Sequence, residues 1–387
     1  MKIGILTHYY KSPNYGGNLQ AYALAEYLNS AGFSAEQVCY DIFFKRESSN
    51  SRIIRFFKRL SFVPSFIWGM VKKELLQKKR MRYVSQKLEG RSKCIMDFNL
   101  NTVRHGSEVY SYAEIARAND VYDAFVTGSD QVWHPNNFCP AYLLSFAGAG
   151  KKKLSYAASI AKSDLSDEEI RILTTSTSDY CAVSVREEDS AELLRKNSPK
   201  SISCVVDPVF LLTAEQWNSV AKPCATEKPY VLTYFLGENS KSRALARQFA
   251  KEKGLELVSI PYLNGMYRPS DWNYGDRQLF DVGPDHFIAL IRNAACIFTD
   301  SFHAAAFSII FDKKFFVFAR DCKSSIDMSN RIVSLLGLCR CPGLYCNDEE
   351  KLSIRYLDSL FDSAVMDKTG LDAKIAYSKS FLLNALK

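Results

Sequence analysis

The sequence predicts an α/β protein of two domains, each an open parallel sheet flanked by helices, and three observations predict it. Its 387 residues exceed what a single hydrophobic core comfortably serves. Short β-rich runs alternate with helical patterns along most of the chain, and such alternation builds parallel sheets. A polar stretch bounded by prolines, residues 222–229, divides the alternation into two sets and reads as a linker.

The first set opens with an apolar run over residues 2–9, followed by turn chemistry over 11–17 (KSPNYGG). A helix is expected over 18–29, where Leu19, Ala23, Leu24, Tyr27 and Leu28 recur at helical spacing. Residues 33–40, 121–127, 153–160 and 181–185 read as further strands, with helices over 166–173 and 190–196. The second set reads as strands at 230–236, 255–260, 296–299 and 314–318, with helices at 241–253, 284–293 and 302–311. The expected domains are therefore 1–222, with a helical insertion at about 45–100, and 229–345, both Rossmann-like. Residues 346–387 read as C-terminal helices that could cross back to the first domain.

Composition is that of an ordinary globular chain, 47% hydrophobic and 24% charged, which excludes disordered and fibrous classes. No segment offers the roughly 18 apolar residues that a spanning helix needs, and no signal-peptide pattern opens the chain. Eleven cysteines, an odd number and several within apolar runs, suggest buried thiols in a reducing, cytoplasmic setting. Cys339, Cys341 and Cys346 form the tightest cluster, but their spacing matches no known zinc motif, so no metal is expected.

Charge is distributed unevenly. Residues 45–93 hold fifteen Lys or Arg against three Glu, a net of +12 in a chain whose total is +8, so the remainder is net −4. Ile53, Phe56, Phe57 and Leu60 share one helical face while Arg52, Arg55 and Arg59 fall on another, and Trp68 follows in an apolar stretch. A basic amphipathic helix with aromatic residues suits the anionic inner face of a membrane, bound peripherally. The alternative is a solvated insertion whose apolar stripe packs on its own domain. Nucleic acid is not expected, because no binding motif accompanies the charge.

In open α/β sheets, ligands bind beyond the carboxyl ends of the strands, so the chemistry is sought in the loops there. Gly17 and Asn18 stand between the first strand and helix, where backbone N–H groups and the helix dipole favour an anion; a plain tight turn is the alternative. Asp130 and Gln131, in TGSDQVW over 127–133, offer a carboxylate and an amide that could hold a sugar hydroxyl, and as a catalytic group Asp130 could accept its proton; the alternative is that Asp130 caps a helix or turn. Trp133 could stack on a sugar or simply pack. Arg186 ends another strand and presents a planar fork suited to carboxylate or phosphate, unless it pairs with the three acids that follow. His303, after Asp300 and Ser301 and in the first turn of an Ala-rich helix, could exchange a proton near neutrality or be a buried structural histidine.

Taken together and in this order, residues 14–24, 128–133, 155–159, 184–187, Asp207-Pro208 and 299–303 resemble the polysaccharide pyruvyl transferase family. The resemblance covers about residues 1–340 apart from the basic insertion. It implies a glycosyltransferase-B-like fold and transfer of the pyruvyl unit of phosphoenolpyruvate onto sugar hydroxyls as a ketal, without a further cofactor. It also implies that His303 is the catalytic histidine, that Arg186 binds an anion and that Asp130 orients the acceptor. Gly17, Asn18 and Ser301 fall to the donor, and Trp133 and Gln131 to the acceptor, a sugar of a cell-surface or capsular polysaccharide precursor that could be carried on a lipid. Many relatives carry Arg two residues before this histidine, where this chain has Ser301. Arg331 could supply that charge from the second domain. Two alternatives remain: a nucleotide-sugar-dependent glycosyltransferase of the same fold, and a non-catalytic membrane-surface binding protein.

Overall fold

The computed structural model describes residues 1–41, 64–162, 164–223, 228–264, 267–320, 329–347 and 352–387, with backbone alone for 64–81, 86, 137 and 329. The first sheet comprises β1 (Lys2–Leu6), β2 (Ser34–Tyr40), β3 (His105–Tyr110), β4 (Ala124–Thr127) and β5 (Lys152–Ser155). Its order is β3-β2-β1-β4-β5 and every pair is parallel. A two-stranded parallel ladder, β6 (Val183–Val185) and β7 (Ile202–Cys204), extends it through bridges from Leu154 to Ala182 and from Ala158 to Val185. The second sheet runs β10-β9-β8-β11-β12-β13, again wholly parallel. Its strands are β8 (Tyr230–Tyr234), β9 (Glu256–Ser259), β10 (Arg277–Gln278), β11 (Cys296–Thr299), β12 (Phe315–Phe318) and β13 (Tyr345–Cys346).

Sheet covered by helices on both faces needs strands apolar on both sides, and the residues supply this. Every residue of β4, β8, β11 and β12 is buried. The covering helices begin where the sequence offers a cap. The first, α1 (Tyr15–Ser30), starts at Asn14, whose side chain accepts from the Gly16 amide. Next, α2 (Pro64–Asn101) precedes α3 (Asp167–Ser176), which carries a capping box of Ser166 and Glu169. Then come α4 (Glu188–Asn197), α5 (Ala214–Val220), α6 (Ser240–Glu252), α7 (Pro284–Asn293), α8 (Phe302–Ile310), α9 (Ser329–Leu338), α10 (Ile354–Ser363) and α11 (Thr369–Leu386).

Strand order reverses between β1 and β4 in the first sheet and between β8 and β11 in the second, and such switch points open the crevices where α/β sheets take ligands. The loops that hold Asp130 and His303 leave β4 and β11, so both stand at these crevices. The two domains are packed together as well as facing. Tyr15 of α1 stacks on Phe287 of α7 at 5.1 Å, and its hydroxyl donates to the Val282 carbonyl. The last helix lies on the first domain: Leu382 and Leu386 are buried with Ile3, Ile5 and Leu154, and the Ser378 hydroxyl accepts from the Val206 amide.

Several boundaries depart from the sequence reading. The strand expected over 153–160 stops at Ser155, because the chain turns sharply where Ala157 and Ala161 take φ of 54° and 52°. The strand β3 was not expected, since it alternates polar and half-buried residues at a sheet edge. Strands of two residues, β10 and β13, carry too little pattern to be read.

The expected basic insertion falls largely outside the described residues, including the face of Ile53, Phe56, Phe57 and Leu60, and nothing about Trp68 beyond its backbone is described. The described C-terminal part of α2 does not keep to the first domain. Val84 is buried with Leu263, Tyr267 and Phe280 of the second domain. The Arg91 guanidinium lies 4.6 Å from the Tyr15 ring centre and donates to Pro13 O and Asn264 Oδ1. Lys222, from the expected linker, bridges Asp97 of α2 to Asp285 of α7. This helix is therefore a strap across both domains. No helix among the described residues is long and apolar enough to cross a membrane.

Candidate active site

The site is assembled from strand ends of both domains. From the first domain, Asp207 follows β7 and its carboxylate is buried. Oδ2 accepts from Arg186 Nη1 at 2.6 Å and from Ser129 Oγ at 3.1 Å, while Oδ1 accepts from the Val209 amide at 3.1 Å. From the second domain, His303 Nε2 faces the same Oδ2 at 3.7 Å. Burial pushes the Asp207 carboxyl up, but the His303 contact, the Arg186 charge and the Val209 amide outweigh it and hold the group well below the usual carboxylate range. Asp207 is thus a fixed anion on which a histidine and an arginine converge.

His303 reaches that position because Ser301 caps α8, its hydroxyl accepting from the Ala304 amide, which starts the helix with the imidazole pointing toward the first domain. On the other side the ring lies against Gly16, where any β-carbon would collide with Nδ1, Cε1 and Cγ. The histidine is therefore clamped between Gly16 and Asp207. With Nε2 turned to the carboxylate, Nδ1 is left at the first turn of α1.

Asp130 sits beside this clamp with φ of 70°, a left-handed backbone that costs a residue with a side chain about 1 kcal/mol or more. That turn brings its Oδ2 within 3.2 Å of where a Gly17 β-carbon would stand. Its charge acts on His8, whose pKa burial lowers and Asp130 partly raises. Around Asp130 and His303 opens a cleft of about 430 Å³, lined among others by Gln131, Tyr262, Arg268, Arg320 and Arg331. Arg320 donates to the Asp300 carbonyl at 3.0 Å, and Asp300 itself accepts from the Leu236 and Gly237 amides. A second cavity of about 270 Å³ lies behind Phe302, lined by Arg186, Asp207, Phe210, Leu335 and Lys374.

Phe302 and Arg331 line both spaces, and the guanidinium carbons of Arg186 and Arg331 stand 5.0 and 5.9 Å from the Phe302 ring centre. Burial pushes the Arg331 pKa down to about 10, and the Arg186 charge adds to the effect. Nε and Nη2 of Arg186 are buried without a hydrogen-bond partner among the described residues. Arg186 is held by Asp207 and, at 3.6 Å, by Glu187, so the spare donors of its fork and the Arg331 charge beside Phe302 are what an anion would meet.

The structure gathers His303, Asp130, Gln131, Ser301 and Arg331 on one cleft and sets Arg186 behind it, on Asp207. Three expectations need correction. Trp133 is wholly enclosed, its indole donating to the Tyr142 carbonyl, so no acceptor sugar stacks on it. Asn18 is also enclosed and donates to Ser12 O, which ties its own loop rather than a donor. Gly17 lets His8 and Asp130 approach α1 and does not line the cleft. Asp207, Arg268, Arg320, His8 and Tyr262 were not singled out as site residues. Arg268 and Tyr262 stand in a loop of no regular pattern, whereas Asp207-Pro208 was among the segments that carry the family resemblance.

Among the described residues no group of three His, Cys, Asp or Glu is arranged to hold a metal ion. A family model described as polysaccharide pyruvyl transferase matches residues 14–321, which is most of the chain and both halves of the site. The chain belongs to the polysaccharide pyruvyl transferase family, and it is a transferase. No curated protein sequence matches it. Among solved structures it is similar to a UDP-N-acetylglucosamine 2-epimerase of Rickettsia bellii, at 8% identity and TM-score 0.55, covering 100% of this chain and 95% of that one. It is likewise similar to the UDP-GlcNAc 2-epimerase of Methanocaldococcus jannaschii, at 10% identity and TM-score 0.52, covering 97% and 100%. At such identity the likeness shows the glycosyltransferase-B-like fold alone.

Proposed function

We propose that the protein transfers the pyruvyl unit of phosphoenolpyruvate to two hydroxyls of one sugar in a polysaccharide precursor, forming a cyclic ketal and releasing phosphate. The observation that carries this reading is the clamp of His303 between Gly16 and Asp207, beside the buried cations Arg186 and Arg331. The donor carries a carboxylate and a phosphate, and the arginines suit both. The reaction starts by adding a proton to the terminal alkene carbon, and a histidine whose Nε2 faces a carboxylate at 3.7 Å is suited to deliver it.

Protonation of that carbon leaves an oxocarbenium-like centre at the neighbouring carbon, which a sugar hydroxyl attacks, losing its proton. The C–O bond to phosphate then breaks, and phosphate leaves with both electrons. A second hydroxyl of the same sugar closes the ketal and loses its proton in turn. One proton is consumed at carbon and two are released from oxygen, so His303 can give the first and recover the next, and the other leaves on the phosphate. Asp130 and Gln131 would receive the acceptor hydroxyls, Arg331 and Arg320 would hold the donor's charges as they shift, and Arg186 would fix Asp207 from behind.

Phosphate release from phosphoenolpyruvate, tested over a panel of simple β-galactosides and other glycosides, is the direct experiment. Release that needs an acceptor and disappears in His303→Ala supports the reading. Binding of a nucleotide sugar in place of phosphoenolpyruvate would replace it with a glycosyltransferase. An acceptor borne on a lipid phosphate would agree with the basic charge of residues 45–93, and loss of binding to anionic vesicles on neutralising those residues tests that part.

A further inference from the structure

We propose that Tyr83 and Trp272 form a stacking subsite for the sugar chain of the acceptor, at the margin of the cleft. This deepens the proposed function and rests on it for the role of the glycan, though not for its binding. The two rings come from different parts of the fold, the strap helix α2 and the loop after β9, yet their centres are 5.1 Å apart. Tyr83 is 58% exposed and Trp272 37%, unusual for large rings in a chain that buries two of its other tryptophans completely. Exposed aromatic faces brought together by distant segments make a surface that fits the apolar face of a sugar ring.

The pair is continuous with the cleft on both segments. On the loop, the buried Asp271 carboxylate accepts from the Tyr262 amide, and Trp272 is the next residue. Tyr262 lines the cleft beneath Arg268, whose guanidinium lies 4.4 Å from its ring centre. On the strap, Arg91 donates to Asn264, which also lines the cleft. Tyr83 is eight residues earlier on the same helix, roughly 12 Å along its axis, within the span of a short oligosaccharide. Asp271 is bonded to Arg243 at 2.7 Å and its carbonyl accepts from Tyr267, so Trp272 follows a residue held on two sides. Arg268 and Asn264 line the same cleft as His303, polar groups of the kind that an acceptor with many hydroxyls requires.

The test measures binding by calorimetry of methyl β-galactoside and methyl β-glucoside, and of β-linked galactose and glucose oligomers of three to six units. Wild type should bind an oligomer more tightly than its monomer. Trp272→Ala and Tyr83→Ala should each weaken oligomer binding about tenfold while leaving phosphoenolpyruvate affinity and the thermal midpoint nearly unchanged. Trp272→Phe and Tyr83→Phe should recover most of the loss, and alanine variants whose thermal midpoint falls along with their oligomer binding would show rings that only pack the strap. Oligomers that bind no better than monomers, or equally well to the alanine variants, would overturn the proposal. So would variants that lose binding to vesicles of phosphatidylcholine and phosphatidylglycerol but keep oligomer binding. The assay needs no turnover: ring-dependent oligomer binding without phosphate release would uphold the subsite and sink the transfer reading.

Discussion

The imidazole of His303 fills the space that a β-carbon on Gly16 would need, so a residue from each domain is fitted to the other. Gly16→Ala gains helix propensity, about 1 kcal/mol, yet must push the ring off Asp207. Its turnover should fall at least about 100-fold while its denaturation midpoint stays near that of wild type. Gly17→Ala meets the His8 carbonyl at 3.1 Å and the Asp130 carboxylate at 3.2 Å, contacts relieved by shifts of a few tenths of an ångström, and should keep more activity than Gly16→Ala. Steady-state kinetics beside urea denaturation of the two variants checks the contrast.

Asp207 gives the second prediction. Asp207→Asn leaves the buried Arg186 charge with Glu187 alone, at 3.6 Å, which should cost about 3 kcal/mol at neutral pH. Because the folded carboxyl lies below its unfolded value, its contribution is present above about pH 4 and is lost as pH falls through the folded value. Wild type should therefore lose stability on acidification more steeply than Asp207→Asn. Urea denaturation of both proteins between pH 7 and pH 3 measures the slopes. Replacing Arg186 and Asp207 together by Met and Leu should recover much of the stability but none of the activity, because His303 loses its support.

How much of this was legible in the sequence follows from what each residue has to do. Strands buried on both faces, such as FFVF in β12, read clearly, and so did the strand-end positions of Asp130, Arg186 and His303. Trp133 misled because it follows a site loop, and only the fold shows that the chain turns it inward to Tyr142. Arg268 and Arg320 were missed because they lie far apart in sequence and meet only when β9 and β12 lie in one sheet. The role of Gly16 was hidden for the same reason: its neighbour is 287 residues away.

Arg331 and Arg186 predict how the donor affects stability. Relief of their repulsion means that phosphoenolpyruvate should raise the thermal midpoint of wild type in a concentration-dependent way. Arg331→Ala should weaken donor affinity at least about tenfold, at the charge-assisted end of hydrogen-bond strengths. An Arg331→Ala variant with unchanged donor affinity would assign the phosphate to Arg268 and Arg320 instead.

The strap makes a separate prediction about the scaffold. Arg91 is buried over Tyr15 and bonded to both domains, so Arg91→Ala should destabilise the protein by about 2 kcal/mol. Hydrogen exchange should show the added opening in the loop around Asn264, next to the cleft.

The central claim is that His303, held by Asp207 and Gly16, delivers the proton that starts pyruvyl transfer. Phosphate release from phosphoenolpyruvate by wild type and His303→Ala, with and without a sugar acceptor, tests it most directly. The account predicts release that depends on the acceptor in wild type and falls to background in the variant, while the variant still binds phosphoenolpyruvate. Equal release by the two proteins would contradict it.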